Sequence, residues 1–322
     1  MTVSAPGAAR LGRPGAAPSG VGGGPVLHRQ RSWRRESWWF LAFALPNFIF
    51  IAVFAYWPVI YNAYLSLQDW NMISPDMEFV GLANYADVLG SADFRWALVR
   101  TVILTGGVTI LALVLGLAVA MLLGTRFIGR NLTRTVVFAP YVVGSAAVGT
   151  IWLFVFDPNF GLFRALLAPF GLTSPNWMDD SAWALPGLMM VEVWRYTGFV
   201  AIIYIGALTG IPKDLIEAAV IDGANGWKRF RSVTLPLLMP ITYFLAIIMV
   251  TTVFRGYDLI AVMTGGGPAG ATTTLGWYIY QQGFDYNNAG AAGVGGIVMF
   301  IVLLGITGIQ SRLMRKGVNY ET

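Results

Sequence analysis

The chain has 322 residues, 56% of them hydrophobic and 11% charged, against roughly 25% charged in an average soluble domain; its formal net charge is +5 and its isoelectric point about 9.5. This balance excludes an ordinary soluble domain and predicts an all-α membrane protein, because a chain crossing hydrocarbon must satisfy its own backbone hydrogen bonds. The lack of cysteine excludes disulfides and thiolate metal sites, and a lone histidine excludes an H-E-x-x-H zinc motif.

Residues 1–36 form a basic tail rich in Gly, Pro and Ala, expected to be disordered, so His28 is read as neither ligand nor base. The tail lacks the short apolar core and cleavage site of a signal peptide, so the first apolar helix is expected to be an uncleaved anchor. A hydrocarbon core of about 30 Å needs roughly 20 apolar residues per helix. Six runs meet that length, at 37–62, 96–124, 134–156, 183–210, 237–263 and 288–311, giving a membrane domain over 37–316 and a short tail over 317–322. Pro46 and Pro58 are expected to bend or end the first helix.

The segment 71–95 is polar and acidic, and "RFIGRNLTR" (126–134) is basic. "FDPNFGLFRALLAPFGLTSPNW" (156–177) is too broken by Pro and Gly to span, and its middle is expected to lie along the membrane surface. "TGGGP" (264–268) reads as a tight turn, with a phosphate nest as the alternative. The small residues of "NAGAAGVGGIVMF" (288–300) predict close helix packing. With both termini cytoplasmic, 16 of the 21 Lys and Arg fall on the inner side, among them Arg126, Arg130, Lys213, Lys228 and Arg312. Membrane topology then accounts for the basic balance, and no nucleic-acid partner is implied.

Between the fourth and fifth runs lies a charged insert, 212–236. Pro212 suits a first helical position, Asp214 and Glu217 favour a helix start, Gly223 offers a stop, and Asn225 can cap a second short helix that runs to the Pro236 region. The reading is a helix–turn–helix knuckle, which could insert into a groove of another protein or rest on lipid headgroups.

"EAAVIDGANGWKRFRSVTLP" (217–236) resembles the EAA signature of permease subunits in bacterial ATP-binding-cassette importers, matching at Glu217, Ala218, Ala219, Asp222, Gly223, Ala224, Phe230, Leu235 and Pro236. "FVGLANY" (79–85), "FDPNFGLF" (156–163) and "MTGGGPAGATTTLGWYIYQQGF" (263–284) are similar to the carbohydrate branch, particularly its maltose-type and glycerol-phosphate-type members. The resemblance implies a six-helix type I permease fold in a bacterial plasma membrane, with those nine residues coupling to the ATPase. It further implies a second homologous permease, two ATPase subunits that hold ATP and Mg²⁺, and an extracytoplasmic solute-binding protein. The basic tail lies outside it.

No G-x-x-x-x-G-K-[ST] phosphate loop and no G-x-S-x-G elbow is present, so no catalytic, cofactor or metal site is expected in this chain. Ionisable groups within apolar spans are costly and mark pairs or a polar path. Glu192 and Arg195 in "EVWRY", and Arg255 and Asp258 in "FRGYD", each share the spacing of a helical pair. They read either as packing salt bridges or, with Trp194, Tyr196 and Tyr257, as the wall of a translocation cavity. Arg255 departs from the neutral residue expected of the family. A gradient-driven carrier or channel and a non-transporting scaffold are the competing functions.

Overall fold

The computed structural model describes residues 33–124 and 128–317; residues 1–32 of the basic tail, Arg126 and the tail beyond 317 lie outside the described residues. The chain divides into two units, residues 1–55 and 56–322. In the first, helix α1 (Trp33–Ile51) holds Pro46 inside it and leads into a π-helical stretch, Ala52–Tyr56. Its Trp38 and Phe48 are exposed, as suits a helix bathed in lipid.

The second unit opens with α2 (Trp57–Leu65), which has Pro58 in its first turn; Phe40–Leu65 is one helical span of 26 residues, so neither Pro46 nor Pro58 ends it. A two-residue ribbon pairs β1 (Gln68–Asp69) with β2 (Glu78–Phe79). Within "FVGLANY", the Asn84 amide donates to the Ser66 and Gln68 carbonyls at 3.0 and 2.9 Å, and Tyr85 Oη lies 2.8 Å from Ser66 Oγ. Helix α3 (Ala83–Gly90) thereby pins the ribbon to the end of α2.

Helix α4 (Ala92–Gly124) packs along α8 (Ala184–Thr209). Leu104, Val108 and Ala112 of α4 share a buried cluster with Val193, Val200 and Tyr204 of α8 and with Leu245 and Met249 of α11 (Leu235–Arg255). The approach is close because the positions are small: a Cβ at Gly116 would fall 2.5 Å from Val200 Cγ1. Tyr204 Oη donates to Thr242 Oγ1 at 2.9 Å, and Leu275 N donates to Thr101 Oγ1 at 2.7 Å, joining α13 (Leu275–Tyr280) to α4.

Two of the six expected spans are broken. The third consists of α5 (Arg130–Val142) and α6 (Ser145–Phe156), bent by 101° at Val143-Gly144. The fifth ends at Arg255, and a separate α12 (Asp258–Met263) follows Gly256 and Tyr257. Five helical stretches among the described residues are long and apolar enough to cross a membrane, and the bent pair makes a sixth.

Helix α7 (Leu162–Leu167) is too short to span. It follows a turn in which Asp157 Oδ1 accepts from the Asn159 and Phe160 amides at 2.7 and 3.0 Å. The last helix, α14 (Ala289–Gly317), meets α2 through its small residues: Asn62 Nδ2 donates to the Gly293 carbonyl at 3.1 Å, and a Cβ at Gly293 would lie 2.8 Å from Ser66 N. Close packing is thus what "NAGAAGVGG" supplies.

Two glycines of α8 give a contrast. A Cβ at Gly198 would strike the Val137 carbonyl of α5 and lie 3.1 Å from Phe138 Cα, whereas one at Gly206 meets nothing within 4 Å. Gly198→Ala is expected to cost about 1–3 kcal/mol by overpacking backbone against backbone. Gly206→Ala should gain about 0.5–1 kcal/mol by reducing the freedom of the unfolded chain. Thermal unfolding of the purified protein in detergent, down for the first and level or up for the second, checks both.

Candidate coupling knuckle and buried ion cluster

Residues 210–234 fold as a knuckle between α8 and α11. Helix α9 (Lys213–Ile221) has Pro212 at its N-cap and Asp214 in its first turn. It ends in a Schellman turn, with Gly223 N donating to the Val220 carbonyl at 3.0 Å and Ala224 N to the Ala219 carbonyl at 2.9 Å. The turn requires the left-handed backbone of Gly223, whose φ is +73°. Asn225 then caps the four-residue α10 (Gly226–Arg229), its Oδ1 accepting from Lys228 N at 2.8 Å.

The second helix does not stop near Pro236. A π-helical turn, Phe230–Thr234, carries it directly into α11, where Pro236 sits in the first turn. Gly226–Arg255 is therefore one helical stretch of 30 residues. Of the nine motif residues, Glu217, Ala218, Asp222, Gly223 and Pro236 are exposed, and Ala219, Ala224, Phe230 and Leu235 are half-buried. Apolar side chains stand on the same surface: Ile221 is 85% exposed and Trp227 69%.

The charged residues of the spans gather at a different place. Arg195 is buried on α8 and forms a salt bridge with Glu192 Oε2, 2.9 Å from its Nη2. Nη2 also donates to Tyr196 Oη at 2.9 Å, Nη1 donates to Ser145 Oγ, and Asp258 Oδ2 lies 4.0 Å from Nη1. Glu192 is 7% exposed, whereas the Asp258 side chain is 51% exposed and opens the cluster to its surroundings.

Arg255 does not pair with Asp258. The helix ends between them, and the Arg255 Nε instead donates to the Thr251 carbonyl at 3.1 Å while the side chain stays exposed. With the turn broken, the i, i+3 relation no longer brings the two side chains together. Tyr257 stacks on Tyr280 at 5.4 Å beside the cluster. Trp194 turns away from it, packing edge-on to Trp152 at 5.4 Å and lining an apolar groove of about 850 Å³ with Pro140 and Met189. Sequence reasoning missed Ser145, whose only signal was the Gly144-Ser145 step inside an apolar run.

The glycine loop is a turn in which two of three consecutive glycine amides are engaged. Gly265 N donates to the Ile260 carbonyl at 2.8 Å and Gly267 N to the Thr264 carbonyl at 2.9 Å, while Thr272 and Thr273 hydroxyls donate to the Gly267 and Gly266 carbonyls. The tight-turn reading accounts for the Gly265 and Gly267 amides, which already have acceptors.

The family described as "Binding-protein-dependent transport system inner membrane component" matches residues 112–320. The trehalose/maltose transport system permease protein MalF of Thermococcus litoralis is 34% identical over 274 residues, covering 84% of this chain and 92% of that protein. The sn-glycerol-3-phosphate transport system permease protein UgpA of Yersinia pestis is 32% identical over 286 residues, covering 88% and 97%. UgpA of Rhizobium meliloti is 34% identical, covering 85% and 94%. In three dimensions the chain is similar to a bacterial ABC transporter involved in the import of the acidic polysaccharide alginate, with a TM-score of 0.77, 23% identity, and coverage of 89% of this chain and 99% of that one. The fold is the six-span type I permease fold of ABC importers. The chain therefore belongs to the binding-protein-dependent transport system inner membrane components, as a membrane-embedded permease.

Proposed function

We propose that this permease forms half of the translocation path of an ATP-driven importer and carries a neutral saccharide, rather than a glycerol-phosphate-type solute, into the cell. One observation carries the reading: the exposed knuckle joins α8 and α11, and those two helices lead to both sides of the Arg195 cluster. A push on the knuckle therefore reaches Glu192 and Arg195 through α8, and Asp258 through α11 and the Gly256-Tyr257 link to α12.

The knuckle faces the cytoplasm in this proposal, as the distribution of Lys and Arg favours. Its exposed Trp227 and Ile221, framed by Glu217 and Asp222, suit a cleft in an ATPase subunit. Two such subunits hold ATP and Mg²⁺, since this chain has no phosphate loop. A second, homologous permease completes the path, and an extracytoplasmic binding protein delivers the solute. ATP and the loaded binding protein then favour the same outward-open state.

The neutral solute follows from the partners of the cation. Arg195 is held by Glu192, Tyr196 and Ser145 and faces Asp258, so its guanidinium is already engaged. Carboxylates and tyrosines bind sugar hydroxyls and faces, whereas a phosphate would have to displace partners the guanidinium already has. In proteoliposomes containing the assembled importer, ATP-dependent uptake of labelled maltose over sn-glycerol 3-phosphate is the expected result. Uptake driven by a gradient without the ATPase would identify a secondary carrier, and none under any condition a scaffold.

Gly223→Pro removes the donor to Val220 and forbids the left-handed turn, and Glu217→Lys reverses a charge on the docking surface. Both variants are expected to insert normally, retain ATPase turnover in the complex and lose most uptake, measured as solute transported per ATP hydrolysed. Arg195→Met strands the Glu192 carboxylate and should cost about 3–5 kcal/mol. Glu192→Gln keeps an acceptor for the guanidinium, so its unfolding temperature should stay near the parent value while saccharide uptake falls.

A further inference from the structure

At the end of the second unit opposite the knuckle, the glycine loop and the start of α4 enclose a cavity of about 390 Å³ that is separate from the Arg195 cluster. That volume falls within the range of small-molecule sites, roughly 300–1,000 Å³. Asp93, Trp96 and Arg100 line one wall from successive turns of α4, and Gln281, Gln282 and Tyr286 line the other. The floor is rigid: a Cβ at Gly266 would collide with the Trp277 indole, and the loop's carbonyls are held by Thr272 and Thr273.

The walls are chemically unspent. Among the described residues, no hydrogen bond or ion pair engages the side chains of Asp93, Arg100, Gln281, Gln282 or Tyr286, and Arg100 only lies over the Trp96 ring at 5.7 Å. Trp96 itself remains 57% exposed. An indole face, a carboxylate, a guanidinium and two carboxamides around one space offer stacking for C–H patches together with paired donors and acceptors for hydroxyls. Asp93 sets a carboxylate beside Arg100, so the charged residues of the lining sum to zero and do not favour an anion.

We propose that this cavity is a second saccharide site, which takes one or two neutral sugar rings at the mouth of the path before they reach the Arg195 cluster. The proposal rests on the permease reading for its choice of ligand, and its own chemistry stands on the cavity. The test is equilibrium dialysis of labelled maltose and trehalose against the purified, assembled importer without binding protein or ATP. Saturable binding is expected, weakened about tenfold by Trp96→Ala, the loss of one aromatic anchor. Gln282→Ala should weaken it too, while Trp96→Phe, which keeps an aromatic face, retains it in complexes of unchanged unfolding temperature.

Absence of saturable binding overturns the pocket alone if ATP-driven uptake is intact. Binding that survives Trp96→Ala but vanishes in Glu192→Gln belongs to the Arg195 cluster and overturns it as well. Stronger competition by sn-glycerol 3-phosphate than by unlabelled maltose would refute the neutral class. Variants that leave sugar binding unchanged but loosen the loaded binding protein would make the cavity a protein dock instead.

Discussion

Helices in hydrocarbon gain nothing by hiding leucine from lipid, so this bundle depends on how closely backbones can approach. Helix α8 is where that constraint bites. Gly116 of α4 accepts Val200 of α8, and Gly198 of α8 accepts the Val137 carbonyl of α5. These contacts bring three helices near enough for dispersion to act, and they fix the rotation of α8 about its axis. That rotation decides which way residues 192–196 point: Arg195 turns into the protein and Trp194 toward the apolar groove.

With α8 fixed, the two breaks in the spans acquire a common purpose. Ser145 is the first residue of α6, just past the 101° bend, and Asp258 is the first residue of α12, just past the end of α11. Both side chains meet the same guanidinium. An unbroken third or fifth span would carry these residues past Arg195 and leave the buried cation only Glu192 and Tyr196 of its own helix. The local backbone irregularity is stabilised where polar groups converge, as membrane-embedded chains require. The cluster thereby ties α6, α8 and α12 together.

Local chemistry was legible in the sequence, and long-range geometry was not. The spans expected at 96–124 and 183–210 emerge as Ala92–Gly124 and Ala184–Thr209, because a sustained apolar run has few other solutions. The Gly223 stop and Asn225 cap were readable because each acts within four residues. By contrast, hydropathy averages over 134–156 and 237–263 and cannot register a bend; only Gly144-Ser145 and Gly256 hinted at one. The Arg255–Asp258 pairing failed for that reason. The helix running through Pro236 was hidden too, because a π-helical turn ahead of it accommodates the residue that ordinarily announces an end.

That π-helical turn has a mechanical consequence. Since Gly226–Arg255 is continuous, it acts as a lever about 45 Å long at 1.5 Å per residue. Tilting such a rod by about 5° swings its far tip by about 4 Å, comparable to the whole separation between Asp258 and Arg195 at 4.0 Å. A slight rocking of the short cap at Asn225 would thus be amplified along the helix to the scale of an ionic contact.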